Sequence, residues 1–130
     1  MFQQFDMTAI ANDIFNIDSI NHANSAIEAI LSINSDSTIF DGHFPGQPVV
    51  PGACMLQVVK DVLENALDSL FQLKKAGNIK FICMIVPSLN DMIQLEISYK
   101  PFDDDINVKA KLVSNDVICF KFQGSFVKVG

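Results

Sequence analysis

The order of apolar patterns along the chain predicts an α+β fold, an antiparallel sheet wrapped around one long helix. Two segments with strand character, Ile14 to Ile20 and Ala26 to Ile33, come first. A single stretch with helical period then follows from Gly52, and four more segments rich in Ile, Val and Phe close the chain. Connections between the strand-like segments are short, which favours antiparallel neighbours over crossovers. With 130 residues and no repeat, linker or low-complexity run, residues 1 to 130 make one domain with room for a real core.

Residues 7 to 13 have the composition of a short helix, and the polar residues Asn21 to Asn24 read as the turn between the first two strands. His22 falls in that turn and reads as a solvated histidine. In the helical stretch Met55, Val58, Val59, Val62, Leu63, Ala66, Leu67 and Leu70 recur at steps of three and four. The helix begins just after Pro51 and is expected to be over by Gly77, a residue suited to a helix stop. Strands are predicted at Ile79 to Val86, Met92 to Lys100, Ile106 to Ser114 and Val117 to Val129, broken at Pro87 to Asp91, Pro101 to Asp105 and Asn115–Asp116. A sheet curled around one helix leaves edge strands free to pair, so a homodimer, or a higher oligomer of dimers, is expected.

Composition removes several function classes. Hydrophobic residues make up 49% and charged residues 18% of the chain, the profile of a folded domain rather than a disordered one. No run approaches the roughly 20 apolar residues of a membrane helix, and the first ten residues lack the basic and apolar regions of a secretory signal, so a cytoplasmic protein without membrane insertion is expected. All nine basic residues are lysines at or beyond Lys60, and the net charge of −6 argues against nucleic acid as a partner. Lys74, Lys75 and Lys80 are the densest basic cluster along the chain, available to an acidic partner or simply solvated. Cys54, Cys83 and Cys119 are odd in number and widely spaced, which suits small core residues better than a disulfide framework or a metal site.

The informative stretch is DGHFPGQPVVPGACMLQVVKDVLENAL, residues 41 to 67. Pro45, Pro48 and Pro51 restrict the backbone before the helix, so the approach is stiff. Gly52 stands at the helix start, where N–H groups lack intrahelical partners and the peptide dipoles turn their positive end outward. A carbonyl oxygen that gains negative charge would be stabilised there. A buried histidine that only caps this approach is the plainer account of His43.

Residues 42 to 52, GHFPGQPVVPG, resemble the active-site segment of the hot-dog-fold 3-hydroxyacyl-(acyl carrier protein) dehydratases. The order of strands and helix on both sides is similar to that family from about residue 14 to the end. The resemblance implies His43 as the base that removes a proton next to the thioester carbonyl, with the backbone N–H of Gly52 holding that carbonyl and the carbonyl of Val49 orienting the imidazole. It implies substrate contacts from Phe44 and Pro51 as well. An imidazole suits the step because its ordinary pKa of about 6.5 leaves it able to accept a proton near neutrality. No cofactor is implied, since the acyl chain arrives on the phosphopantetheine arm of an acyl carrier protein, the expected partner.

The sequence departs from the family at its second catalytic position. The family places a Glu or Asp five residues beyond the last glycine of the motif, and this chain has Gln57. An amide donates and accepts hydrogen bonds but does not titrate. Asp61 lies one helical turn further on the same face, so the family's acid followed by an amide becomes an amide followed by an acid. Three readings follow: Asp61 supplies the carboxylate, His43 works alone with Gln57 as hydrogen-bonding partner, or dehydration is lost. The stripe of Gln57, Asp61, Glu64 and Asp68 is also what a solvated helix face looks like. The expected activity is removal of water from a (3R)-3-hydroxyacyl thioester in fatty-acid or related lipid biosynthesis. A non-catalytic acyl-binding subunit and an acyl thioesterase are the alternatives.

Overall fold

The computed structural model of the protein describes residues 14–34, 50–86 and 92–129. Strands β1 (Phe15–Ala23) and β2 (Ala26–Ile33) precede helix α1 (Gly52–Leu67), and β3 (Leu70–Phe81), β4 (Met92–Phe102), β5 (Asp105–Ser114) and β6 (Val117–Val129) follow it. The six strands form one antiparallel sheet in the order β1-β2-β4-β5-β6-β3, so β1 and β3 are its edges. The predicted short helix at residues 7 to 13 lies outside the described residues.

Alternation builds the sheet. In β4 Ile93, Leu95 and Ile97 are buried while Gln94 and Ser98 are exposed, and in β5 Ile106, Val108, Ala110 and Leu112 alternate with exposed Asn107 and Lys109. The buried rows meet α1 through Cys54, Met55, Val58, Val59, Val62 and Leu63, forming one core with Phe120, Phe122 and Phe126 of β6. The helical period read from sequence therefore marks the face that the sheet covers.

Four boundaries differ from the sequence expectation, each for a local reason. The first turn is Asn24–Ser25, both at positive φ, rather than Asn21 to Asn24. Two left-handed residues match the twist of a tight hairpin. His22 is consequently a strand residue, and its Nε2 lies 2.6 Å from the Tyr99 hydroxyl. Because β1 is an edge strand, its polar residues stay in water without breaking the ladder.

The helix stops at Leu67, ten residues before Gly77, because Asp68 turns left-handed (φ 50°, ψ 47°) and returns its N–H to the Glu64 carbonyl. The Glu64 carboxylate then accepts the Phe71 N–H at 2.8 Å, which starts β3 beside the helix end. Leu70, counted with the helical stripe, is instead an exposed strand residue. Gly77 sits in β3 at a register shift between Ala76 and Asn78, where an added Cβ would come within 3.2 Å of the Gln123 carbonyl.

The predicted strand Ile79 to Val86 is thus the end of β3 plus a non-strand segment from Ile82, still tied to β6 by the N–H groups of Ile82 and Cys83 on the Cys119 carbonyl. Finally, β4 runs through Pro101 to Phe102. The β2–β4 ladder ends at Ser98, so Pro101 faces β5 only and its missing N–H costs no ladder bond on the other side. The Asp103–Asp104 turn joins β4 to β5.

The core makes a direct prediction. Leu63 is wholly buried on the helix face under the sheet. Leu63→Ala should lower unfolding free energy by about 2–5 kcal/mol, measured by urea denaturation, with circular dichroism retained at zero denaturant.

Candidate functional site

Three of the seven expected site residues, His43, Phe44 and Val49, lie outside the described residues. The other four, Pro51, Gly52, Gln57 and Asp61, are at the start of α1 or on its first three turns.

Pro51 is extended (φ −64°, ψ 145°), as a residue before a helix should be, and its carbonyl accepts the first intrahelical bonds from Cys54 (3.1 Å) and Met55 (3.4 Å). No side chain among the described residues caps this end, and the first turn contains no acidic residue. The N–H groups of Gly52 and Ala53 therefore carry the positive end of the helix with no carboxylate of their own turn to neutralise it. Just upstream, the Val50 N–H donates to the Ile85 carbonyl at 2.9 Å, which anchors the helix approach to the segment after β3.

Phe81, at the end of β3, is the neighbour that sequence reading missed. Its ring edge lies 2.7 Å from the position a Cβ on Gly52 would occupy, so a side chain there would have to displace the ring. Phe81 also stacks at a tilt on Phe120 with centroids 5.3 Å apart, yet remains 59% exposed in the single protomer. Beside it Ile82 and Met84 are exposed too, giving the helix start an apolar border. Alternation in β3 was the available signal, but nothing in sequence ties residue 81 to residue 52.

Gln57 and Asp61 are brought together as their spacing requires, with Gln57 Nε2 donating to Asp61 Oδ1 at 3.1 Å. Both are half-buried rather than part of a fully solvated face. Further along the stripe Glu64 is committed to structure, bonded to the Phe71 N–H and 3.6 Å from Lys60 Nζ, while Asp68 is the exposed helix cap. The stripe therefore divides into a Gln57–Asp61 pair toward the helix start and a structural pair at its end. Asp61 opens onto a cavity of about 420 Å³ lined also by Ile17, Glu64, Asn65, Asp68, Ser69 and Leu70.

The basic residues regroup. Lys74 is paired with Asp105 at 2.7 Å, which holds its ammonium above the ordinary lysine range. The outer side of the sheet instead assembles Lys80, Lys109, Lys111 and Lys121 around a depression of about 510 Å³ that also contains Glu28 and Glu96. Among the described residues no cluster of His, Cys, Asp and Glu could hold a metal ion, and no helix is long and apolar enough to cross a membrane. The three cysteines are free thiols, with Cys54 and Cys119 buried and Cys83 half-buried.

Burial pushes the Cys54 thiol, on the first turn of α1, from 9.0 up to about 11. The folded state keeps this proton to about pH 11 while the unfolded chain releases it near pH 9.0, so the contribution is whole below pH 9 and lost as pH rises toward 11. Cys54→Ala should flatten that part of the stability curve, read as urea midpoints between these two pH values.

The chain is similar in sequence and in fold to known proteins. Residues 19–121 match the family model ApeI-like, described as ApeI dehydratase. The 3-hydroxyacyl-(acyl-carrier-protein) dehydratase FabZ of Clostridium acetobutylicum is 33% identical over 73 residues, covering 51% of this chain and 50% of that protein. FabZ of Xanthomonas oryzae pv. oryzae is 28% identical over 78 residues, covering 53% of this chain and 50% of the relative. The chain thus spans about half the length of the curated relatives it matches. Among solved structures, the dehydratase heterocomplex ApeI:P from Xenorhabdus doucetiae aligns with a TM-score of 0.70 at 17% identity, over 86% of this chain and 96% of that one. A mutant of the thioesterase SAV0944 from Staphylococcus aureus aligns with a TM-score of 0.62 at 5% identity, over 89% and 93% of the two chains. At such identities these likenesses show the fold, which is the hot-dog fold.

Proposed function

Because the chain belongs to the ApeI-like dehydratase family, we propose that it removes water from a (3R)-3-hydroxyacyl thioester carried on an acyl carrier protein, with the Gln57–Asp61 pair in place of a single acidic residue. The observation that carries this reading is the 3.1 Å bond from the Gln57 amide to a half-buried Asp61 on the early turns of α1. A carboxylate oriented in this way is equipped for proton transfer, which a glutamine is not.

In the proposed reaction His43 takes the proton from the carbon beside the thioester carbonyl. Negative charge that develops on the carbonyl oxygen is stabilised by the Gly52 N–H, at a helix end that no described side chain caps and that has no first-turn acid. The departing hydroxyl receives a proton from the carboxylic acid form of Asp61, directly or through a water, and leaves as water. Gln57 holds the Asp61 carboxyl group in place. Val49, Phe44 and Pro51 frame the thioester, while exposed Phe81, Ile82 and Met84 supply apolar surface for the acyl chain or a second subunit. A homodimer paired through the β3 edge, working in the cytoplasm on a carrier-bound substrate without a cofactor, completes the reading.

The test is an assay of water loss from 3-hydroxyacyl thioesters. His43→Ala should abolish turnover, and Asp61→Asn should lower it by about 10² to 10⁴. Gln57→Glu should preserve activity, since it restores an acid at the family's own position. An unchanged rate in Asp61→Asn would remove Asp61 as the proton donor. Free thiol released from acyl thioesters in place of the unsaturated product would assign hydrolysis instead.

A further inference from the structure

We propose that Cys83 and Cys119 are an oxidisable dithiol pair, a modification site that closes as a disulfide between the segment after β3 and strand β6. The two residues are 36 positions apart in sequence but are held side by side. The N–H groups of Ile82 and Cys83 both donate to the Cys119 carbonyl, at 2.8 and 3.2 Å, so two main-chain bonds fix the backbone around the pair. The Cys83 thiol is near enough to Cys119 to act on its proton. With the two backbones already fixed side by side, closing a sulfur–sulfur bond of about 2.05 Å asks for a side-chain adjustment rather than a rearranged fold.

The environments of the two sulfurs differ in a way that assigns their roles. Cys83 is half-buried, whereas Cys119 is 2% exposed, with its Sγ also 3.6 Å from the Val117 carbonyl. Burial foremost, then the neighbouring Cys83, raises the Cys119 thiol and keeps it protonated. Cys83 is accordingly the sulfur that a peroxide reaches first, and Cys119 the resolving thiol. In the first step the Cys83 sulfur attacks a peroxide oxygen, the O–O bond breaks, and sulfenic acid and one water form. In the second the Cys119 sulfur attacks the sulfenic sulfur, the S–O bond breaks, and the leaving hydroxide takes the Cys119 proton as a second water. Two thiols are oxidised by two electrons and one peroxide is reduced to two waters. Cys54 takes no part, because it is buried in the core on the sheet-facing side of α1.

The site matters because of what the clipped segment holds. Residues 82 to 86 follow directly on Phe81, which packs on Gly52, and Ile85 of this segment accepts the Val50 N–H ahead of the helix. A Cys83–Cys119 bond would therefore tie the wall beside the helix start to a central strand.

The experiment treats the purified full chain with hydrogen peroxide, alkylates the remaining thiols, and maps peptides without reduction. The expected result is one intramolecular Cys83–Cys119 cross-link, an intact mass lower by two hydrogens, reversal by a dithiol reductant, and a melting temperature several degrees above that of the reduced protein. Cys119→Ser should leave a Cys83 sulfenic acid that a cyclic 1,3-dione traps. Cys83→Ser, at a half-buried position, should fold as judged by circular dichroism and should leave Cys119 unoxidised. Recovery of both residues as free thiols, oxidation of Cys83 to sulfinic acid with Cys119 intact, or a Cys83 cross-link between two chains would each overturn the proposal.

Discussion

The structure depends on a single burial constraint: one helix has to cover the inner face of a six-stranded sheet. Cys54, Met55, Val58, Val59, Val62 and Leu63 fill that face, and the inward rows of β2, β4, β5 and β6 have no other described element to pack against. Burying each large aliphatic side chain stabilises the fold by roughly 1.5–3 kcal/mol, far more than any surface ion pair here contributes. The rotation of α1 about its axis is fixed by this contact. With that rotation fixed, Gln57 and Asp61 fall at the margin of the buried stripe, neither in the core nor fully in water.

The same constraint sets where the chemistry can occur. The helix start is bordered by Phe81 from β3 and by the Val50–Ile85 bond, so elements distant in sequence converge on Gly52. Glycine at that position leaves room for the ring. The β3–β6 ladder reaches this geometry through two register shifts, and Gly124 permits it, because a Cβ there would lie 2.3 Å from the Lys75 carbonyl. A bulged edge strand is thus part of how the site wall is delivered.

Charge is distributed around this core in a consistent way. Glu64 and Lys60 support the turn into β3, Lys74 and Asp105 pair near the β4–β5 turn, and Lys111 lies 3.8 Å from Glu96 on the outer sheet face. These contacts are exposed or partly so and order local geometry more than they stabilise the whole. The four lysines gathered on the outer face come from β3, β5 and β6, a grouping that strand register creates and linear spacing hides.

Elements whose signals are local were legible in the amino-acid order alone. Helical period from Gly52, alternation in β4 and β5, and the Asn115–Asp116 turn each depend on residues within a few positions, and each is present in the structure. The Gln57–Asp61 contact was legible for the same reason, since one helical turn fixes the distance between them. Features that depend on residues far apart emerged only from the packed fold. The helix ended at Asp68 because Glu64 could reach the Phe71 N–H, although Leu70 continued the apolar spacing. Phe81 met Gly52, and Cys83 met Cys119, only because β3 pairs with β6 at the sheet edge. A backbone dihedral or an i, i+4 pair is written in a few neighbouring residues, whereas a long-range contact follows from strand register, which the burial of the whole inner face selects.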